Sequence, residues 1–288
     1  MKIIDLTKIK CYYFFMKKFI AVVLTVLSLL FCCACSGNDA PKAAKGVWWW
    51  NKNLDAETYL TFADENSVTE IYYCDADFDE KTASFIDKAA QRDIKVYWLA
   101  GEYQWLDDSS PLYRQIERYK NFQAENKRGF AGIHLDIEPH QSPAFSTDRA
   151  GLLKKLIGLV YGLKGDFPEI TFDFDIPFWI HDEITYGGET LPAYAHIIRG
   201  ANRTFIMSYR DTAESIYSVA KEEVEYALSI NKTVILGVET YSTEGDSVSF
   251  MEEGKNYMNE QLEVLKTLIP ENYGISVHQI KTWYDLKD

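Results

Sequence analysis

The chain has 288 residues, 47% of them hydrophobic, and a formal net charge of −13. That is enough apolar material for one large core, and too acidic a balance to hold a phosphate backbone, so nucleic acid is excluded as a partner and polyanionic glycans are disfavoured. With 19 Tyr, 16 Phe and 7 Trp, rings fill the core first and leave some over to stack on the C–H faces of sugars.

Met16-Lys17-Lys18 opens an apolar run from Phe19 to Phe31, followed by Cys32-Cys33-Ala34-Cys35-Ser36. A basic start, a short apolar stretch and a small residue before the break predict a secretory signal. The run falls short of the ~20 residues of a spanning helix. Ala34-Cys35 resembles the bacterial lipoprotein box, with Cys32 where an aliphatic residue usually stands. That resemblance implies lipidation at Cys35, export, and a membrane anchor in a bacterial cell envelope. Residues 1–35 are therefore expected to be the signal segment, with translation from Met16, and 36–45 a tether before a folded domain over 46–288. Of five cysteines only Cys74 lies inside that domain, so no disulfide framework is expected and Cys74 is read as a small hydrophobe.

From there strand and helix patterns alternate. Strands are predicted at Gly46–Trp50, Thr69–Asp75, Lys95–Gly101, Gly132–Pro139, Thr171–Trp179, Arg203–Arg210, Thr233–Thr240 and Tyr273–Ile280. Helices fall between them at Asp55–Glu65, Glu80–Gln91, Pro111–Asn126, Thr147–Leu163, Pro192–Gly200, Thr212–Ser229 and Met251–Leu268, with Asn53 and Ser146 as caps. Eight strands alternating with helices predict an α/β fold, a (β/α)8 TIM barrel. The eighth helix is vestigial or missing, because only Lys281 to Asp288 remain for it. No Gly-rich phosphate loop follows the first strand, and no cofactor is expected.

Active sites of such barrels lie at the C-terminal strand ends. The fourth strand, Gly132-Ile-His-Leu-Asp-Ile-Glu-Pro-His140, puts His134, Asp136 and Glu138 on one face and Leu135 and Ile137 on the other. Carboxylates at a buried strand tip are costly without work or partners. Two of them, two residues apart, are what general acid catalysis on a glycosidic bond needs. Other strand ends add Trp50, Asp75, Glu102, Asp175, Trp179, Tyr209, Glu239 and His278, with Trp283 just beyond. Arg203 or Arg210 is the expected partner of Asp173 and Asp175 if those two are structural. Adjacent positions on one strand rarely surround a metal and no H-E-x-x-H occurs, so no metal site is expected.

These residues resemble glycoside hydrolase family 18, the chitinase-like barrels. Its fourth-strand pattern D-G-x-D-x-D-x-E aligns with Ala131-Gly-Ile-His-Leu-Asp-Ile-Glu138, and its M-x-Y-D with Met207-Ser-Tyr-Arg210. Ala131 and His134 replace two acids, and His278 stands where the family has a Trp. The resemblance implies a glycan substrate and substrate-assisted hydrolysis. Glu138 would protonate the leaving oxygen, while Asp136 and Tyr209 hold the 2-acetamido group, with Asp175, Trp50, Trp179, His278 and Trp283 binding sugar. The chain is also similar to clan A glycosidases, through Ile137-Glu138-Pro139 on the fourth strand and Glu239 on the seventh. That similarity implies the same acid with Glu239 as nucleophile. A barrel that binds glycans without cutting them is the alternative, one that the loss of the acids at 131 and 134 would fit.

Overall fold

The computed structural model describes residues 43–242, 245 and 247–288. The expected signal segment, Cys35 and most of the tether lie outside the described residues. Ala43–Asp288 forms one compact unit.

Eight parallel strands close into a barrel: β1 (Lys45–Trp49), β2 (Glu70–Tyr73), β3 (Lys95–Ala100), β4 (Ile133–Leu135), β5 (Phe172–Pro177), β8 (Arg203–Met207), β9 (Val234–Glu239) and β10 (Gly274–His278). They are ordered β1-β10-β9-β8-β5-β4-β3-β2 around the ring. A two-stranded antiparallel hairpin, β6 (Glu183–Tyr186) and β7 (Glu189–Pro192), interrupts the fifth unit. Helices α1 (Ala56–Glu65), α2 (Glu80–Ala90), α3 (Ser110–Glu125), α4 (Arg149–Asp166), α5 (Ala193–Gly200), α6 (Ala213–Val219), α7 (Lys221–Ser229), α8 (Lys255–Leu268) and α9 (Ile280–Asp285) join the strands.

The pleat sorts the strand residues into two cores. Outward side chains such as Trp49, Ile71, Trp98, Ile133, Phe174 and Val238 merge with the apolar stripes of the helices. Inward ones, Trp48, Tyr72, Tyr97, Leu99, Phe205 and Ile235, fill the lumen. Each full burial of this kind contributes about 1.5–3 kcal/mol, so the larger outer layer carries most of the stability. Trp49 shows the outward arrangement, meeting Phe85 edge-on at 4.9 Å.

Local signals differ from expectation at several ends. Asp55, not Asn53, caps α1 by accepting from the Thr58 amide at 2.9 Å. Asp148, not Ser146, caps α4 through the Gly151 amide. The predicted helix 212–229 is two helices broken at Ala220. The eighth helix is the short α9, and its Trp283 corrects one expectation. This ring is fully buried against the outer wall, edge-on to Phe62 at 5.1 Å with the Lys45 ammonium 5.3 Å from its centroid. Because α9 starts as soon as β10 ends, residue 283 turns to the outside of the barrel and cannot touch a substrate at its mouth.

Candidate active site

The site is built in rungs up the lumen. At its base, Arg203 on β8 forks between two acids: its Nε and Nη2 donate to Asp173 and its Nη1 donates to Glu70, at 2.6–3.2 Å. Of the two readings left open for Asp173, the structural one holds, with Arg203 as the partner.

One rung up, Trp48 and His134 converge on Asp175. The Trp48 indole N–H donates to Asp175 Oδ2 at 3.1 Å, and His134 Nε2 lies 2.8 Å from the same oxygen. Burial pushes His134 down to about 3, so it is neutral and serves as a hydrogen-bonding wall residue. Its ring stacks on Tyr72 at 4.2 Å. Asp175 is thus not an ion-pair partner of Arg203 or Arg210, and its Oδ1 is buried with no partner among the described residues.

At the mouth the fourth-strand acids separate. Asp136 follows β4, its amide bonded to the Ala100 carbonyl at 2.9 Å. Gly101 permits this approach, since a Cβ there would stand 1.8 Å from the Asp136 carbonyl oxygen. Asp136 Oδ1 is buried and unpartnered among the described residues. Burial first, then the charges of Asp175 and Glu138, hold the Asp136 carboxyl well above the usual range. Burial does the same for Asp175, against the hydrogen bond from Trp48. Glu138 lies outermost, its side chain 19% exposed, beside Gln141 and with His140 Nε2 at 3.5 Å. It is reachable from solvent and still within the field of the buried pair.

The opposite wall carries His278, Trp50, Tyr209 and Glu239. His278 Nδ1 lies 2.9 Å from Glu239 Oε2, and the Trp50 indole N–H donates to His278 Nε2 at 2.9 Å. Indole is a donor only, so in this arrangement Nε2 keeps its lone pair and the proton sits on Nδ1. Burial lowers His278, but the Glu239 contact and the nearby carboxylates outweigh it and raise it overall; charging Nε2 would require Trp50 to turn away. Glu239 Oε1 accepts from the amides of Thr240 and Tyr241, both at 2.8 Å. With both oxygens engaged, Glu239 orients His278 and is poorly placed to attack. Tyr209 tilts over His278 at 6.0 Å. Burial, then Glu239 and Asp136, push its hydroxyl far up, so it stays a donor. Trp179 stands at the rim against His140 (5.3 Å) and Phe145 (5.9 Å), with the Arg149 guanidinium 5.0 Å from its centroid.

The structure therefore gathers Glu138, Asp136, Asp175, Tyr209, His278, Trp50 and Glu239 at one mouth, with Trp179 on its edge. Trp283 alone lies elsewhere. Among the described residues no cluster of His, Cys, Asp and Glu has the arrangement of a metal site.

Solved structures share this architecture. The chain matches a chitinase from Bacteroides thetaiotaomicron with a TM-score of 0.55, at 13% identity over 84% of this chain and 91% of that one. A GH18 chitinase from Cycas revoluta, solved with (GlcNAc)4, gives 0.54 at 14% identity over 84% and 96%. The spore cortex-lytic enzyme SleL of Bacillus megaterium gives 0.51 at 14% identity over 86% and 74%. The fold is that of the family 18 chitinase barrels. No family model and no curated protein sequence matches the chain.

Within the chitinase-like barrel, sequence reasoning missed Trp48, whose inward direction and donor role fix Asp175, and it missed His140 and Gln141, which flank Glu138. The signal for Trp48 was the alternation in Trp48-Trp49-Trp50, which sends the first and third rings to the same side.

Proposed function

We propose that the protein is an exported, lipid-anchored glycoside hydrolase acting on N-acetylhexosamine-containing glycans of the envelope or its surroundings. The observation that carries this reading is the solvent-reachable carboxyl of Glu138 within the field of Asp136 and Asp175, each with a buried unpartnered oxygen, at the C-terminal mouth of a closed barrel. Glu138 is the general acid. It gives its proton to the glycosidic oxygen as the C–O bond breaks, while the substrate's acetamido oxygen forms a bond to the anomeric carbon. Glu138 then takes a proton from the water that opens this intermediate. Asp136 holds the acetamido N–H, and the Tyr209 hydroxyl donates to the acetamido oxygen. Direct attack by Glu239 is disfavoured by its three hydrogen bonds.

The test is Glu138→Gln on aryl N-acetylglucosaminides and chitooligosaccharides. The expected result is a fall in turnover of about 10²–10⁴-fold with binding retained. Wild-type binding of oligosaccharide without product, measured by calorimetry and chromatography, would instead favour a glycan-binding barrel. Mass spectrometry of the membrane fraction checks the anchor: an acylated peptide beginning at Cys35 is expected.

A further inference from the structure

Register pairs Ile133, His134 and Leu135 with Phe172, Asp173 and Phe174. One step further along the same ladder sets Asp136 beside Asp175, on strands about 4.8 Å apart. Alternation turns both side chains inward. Each carboxyl has one oxygen, Oδ1, buried and without a partner among the described residues. Asp175 Oδ2 is already held by Trp48 and His134, which leaves Oδ1 as its free oxygen. The nearest guanidinium below, that of Arg203, is spent on Asp173 and Glu70.

We propose that Asp136 and Asp175 share one proton, so that Asp175 supplies from β5 the second carboxyl that His134 no longer supplies from β4. Two carboxylates on neighbouring strands, each with a buried oxygen and offset only in part by His278, which is itself held by Glu239, cannot both ionise cheaply, whereas a single proton shared between them relieves the repulsion. The titratable groups facing the pair are Glu138 and His134 on the β4 side, Asp173 below on β5, Tyr209 after β8, Glu239 on β9 and His278 on β10. His134 is neutral and Glu239 and His278 are bonded to each other, so neither wall offers a full compensating charge. The role of the pair in turnover, keeping Asp136 able to hold an acetamido group, rests on the proposed hydrolase reading. The pairing itself does not.

The experiment is a carbon-detected NMR titration of the chain labelled at its Asp carboxyls. In the wild type, Asp136 and Asp175 should titrate together in two steps separated by more than about one pH unit. Asp175→Asn should leave one step for Asp136, its midpoint moved down by about one unit or more as the like charge is lost. Trp48→Phe keeps both acids but removes the donor that favours ionised Asp175, and should move the upper step higher. It serves alone if Asp175→Asn does not fold. An Asp136 titration unchanged in Asp175→Asn, or unmoved in Trp48→Phe, would overturn the proposal. If the enzyme is active, Asp175→Asn should also move the acidic limb of the pH profile in the same direction as the NMR midpoint. If the Glu138→Gln test fails while the two-step titration holds, the hydrolase reading falls and the proton-sharing pair stands.

Discussion

At the base of the lumen Arg203, Asp173 and Glu70 meet, and the guanidinium donates to both acids at 2.6–3.2 Å. One rung higher, Asp136 and Asp175 face the same lumen, each with a buried oxygen that has no partner among the described residues, and no guanidinium bridges them as Arg203 bridges the pair below. The residue types are alike; the accounting of charge is not. A carboxylate pair bridged by a guanidinium holds strands together, while a pair with no bridging cation stores a perturbed proton affinity, which is what acid–base chemistry uses.

That contrast breaks most visibly at Arg203. Arg203→Met leaves Asp173 and Glu70 buried without a cation, and should cost about 3–5 kcal/mol at neutral pH in urea unfolding. The loss should shrink as pH falls, because the stranded acids can then bind protons. A loss that does not depend on pH would mean that packing, not charge, is what Arg203 provides. At the mouth the expected loss is of rate and not of stability. On the proposed hydrolase reading, Tyr209→Phe should lower kcat by about 10²–10³-fold, the size seen for removing one aimed donor, with little change in melting temperature. An unchanged kcat would make Tyr209 a packing residue.

A further buried carboxyl, away from the lumen, sharpens the comparison. Glu223 on α7 is fully buried, with His181 Nε2 3.2 Å from one oxygen. Burial raises it from 4.5 to about 7. Its folded-state proton affinity exceeds that of the unfolded chain, so its contribution is most favourable below pH 4.5 and is lost as pH rises through 7. Glu223→Gln should therefore stabilise the protein at pH 8, by roughly 1–3 kcal/mol, and the gain should vanish below pH 4.5. A gain equal at both pH values would refute this account.

Much of this was legible in the chain. Eight apolar strand patterns with helical spacers define the barrel, and period-two alternation points His134, Asp136 and Glu138 the same way. The hairpin was also legible, though it was not among the expected elements: Tyr186-Gly187-Gly188-Glu189 carries two glycines at φ +60° and +87°, as a tight two-residue turn requires. Helix caps were misplaced because several Asx and Ser residues crowd each helix start, and only the chain direction decides which one reaches the free amides. Trp283 was misassigned because nearness in sequence to β10 says nothing of the turn by which α9 carries it outside.

The sequence by itself determined the alternation of strand and helix, the inward face of each strand, and the presence of acids at the strand ends, because those follow from local periodicity. Which acids are compensated was decided only by closure of the sheet. Arg203 meets Glu70 across 133 positions and Trp48 meets Asp175 across 127, and no local pattern records a hydrogen bond formed across the width of a barrel.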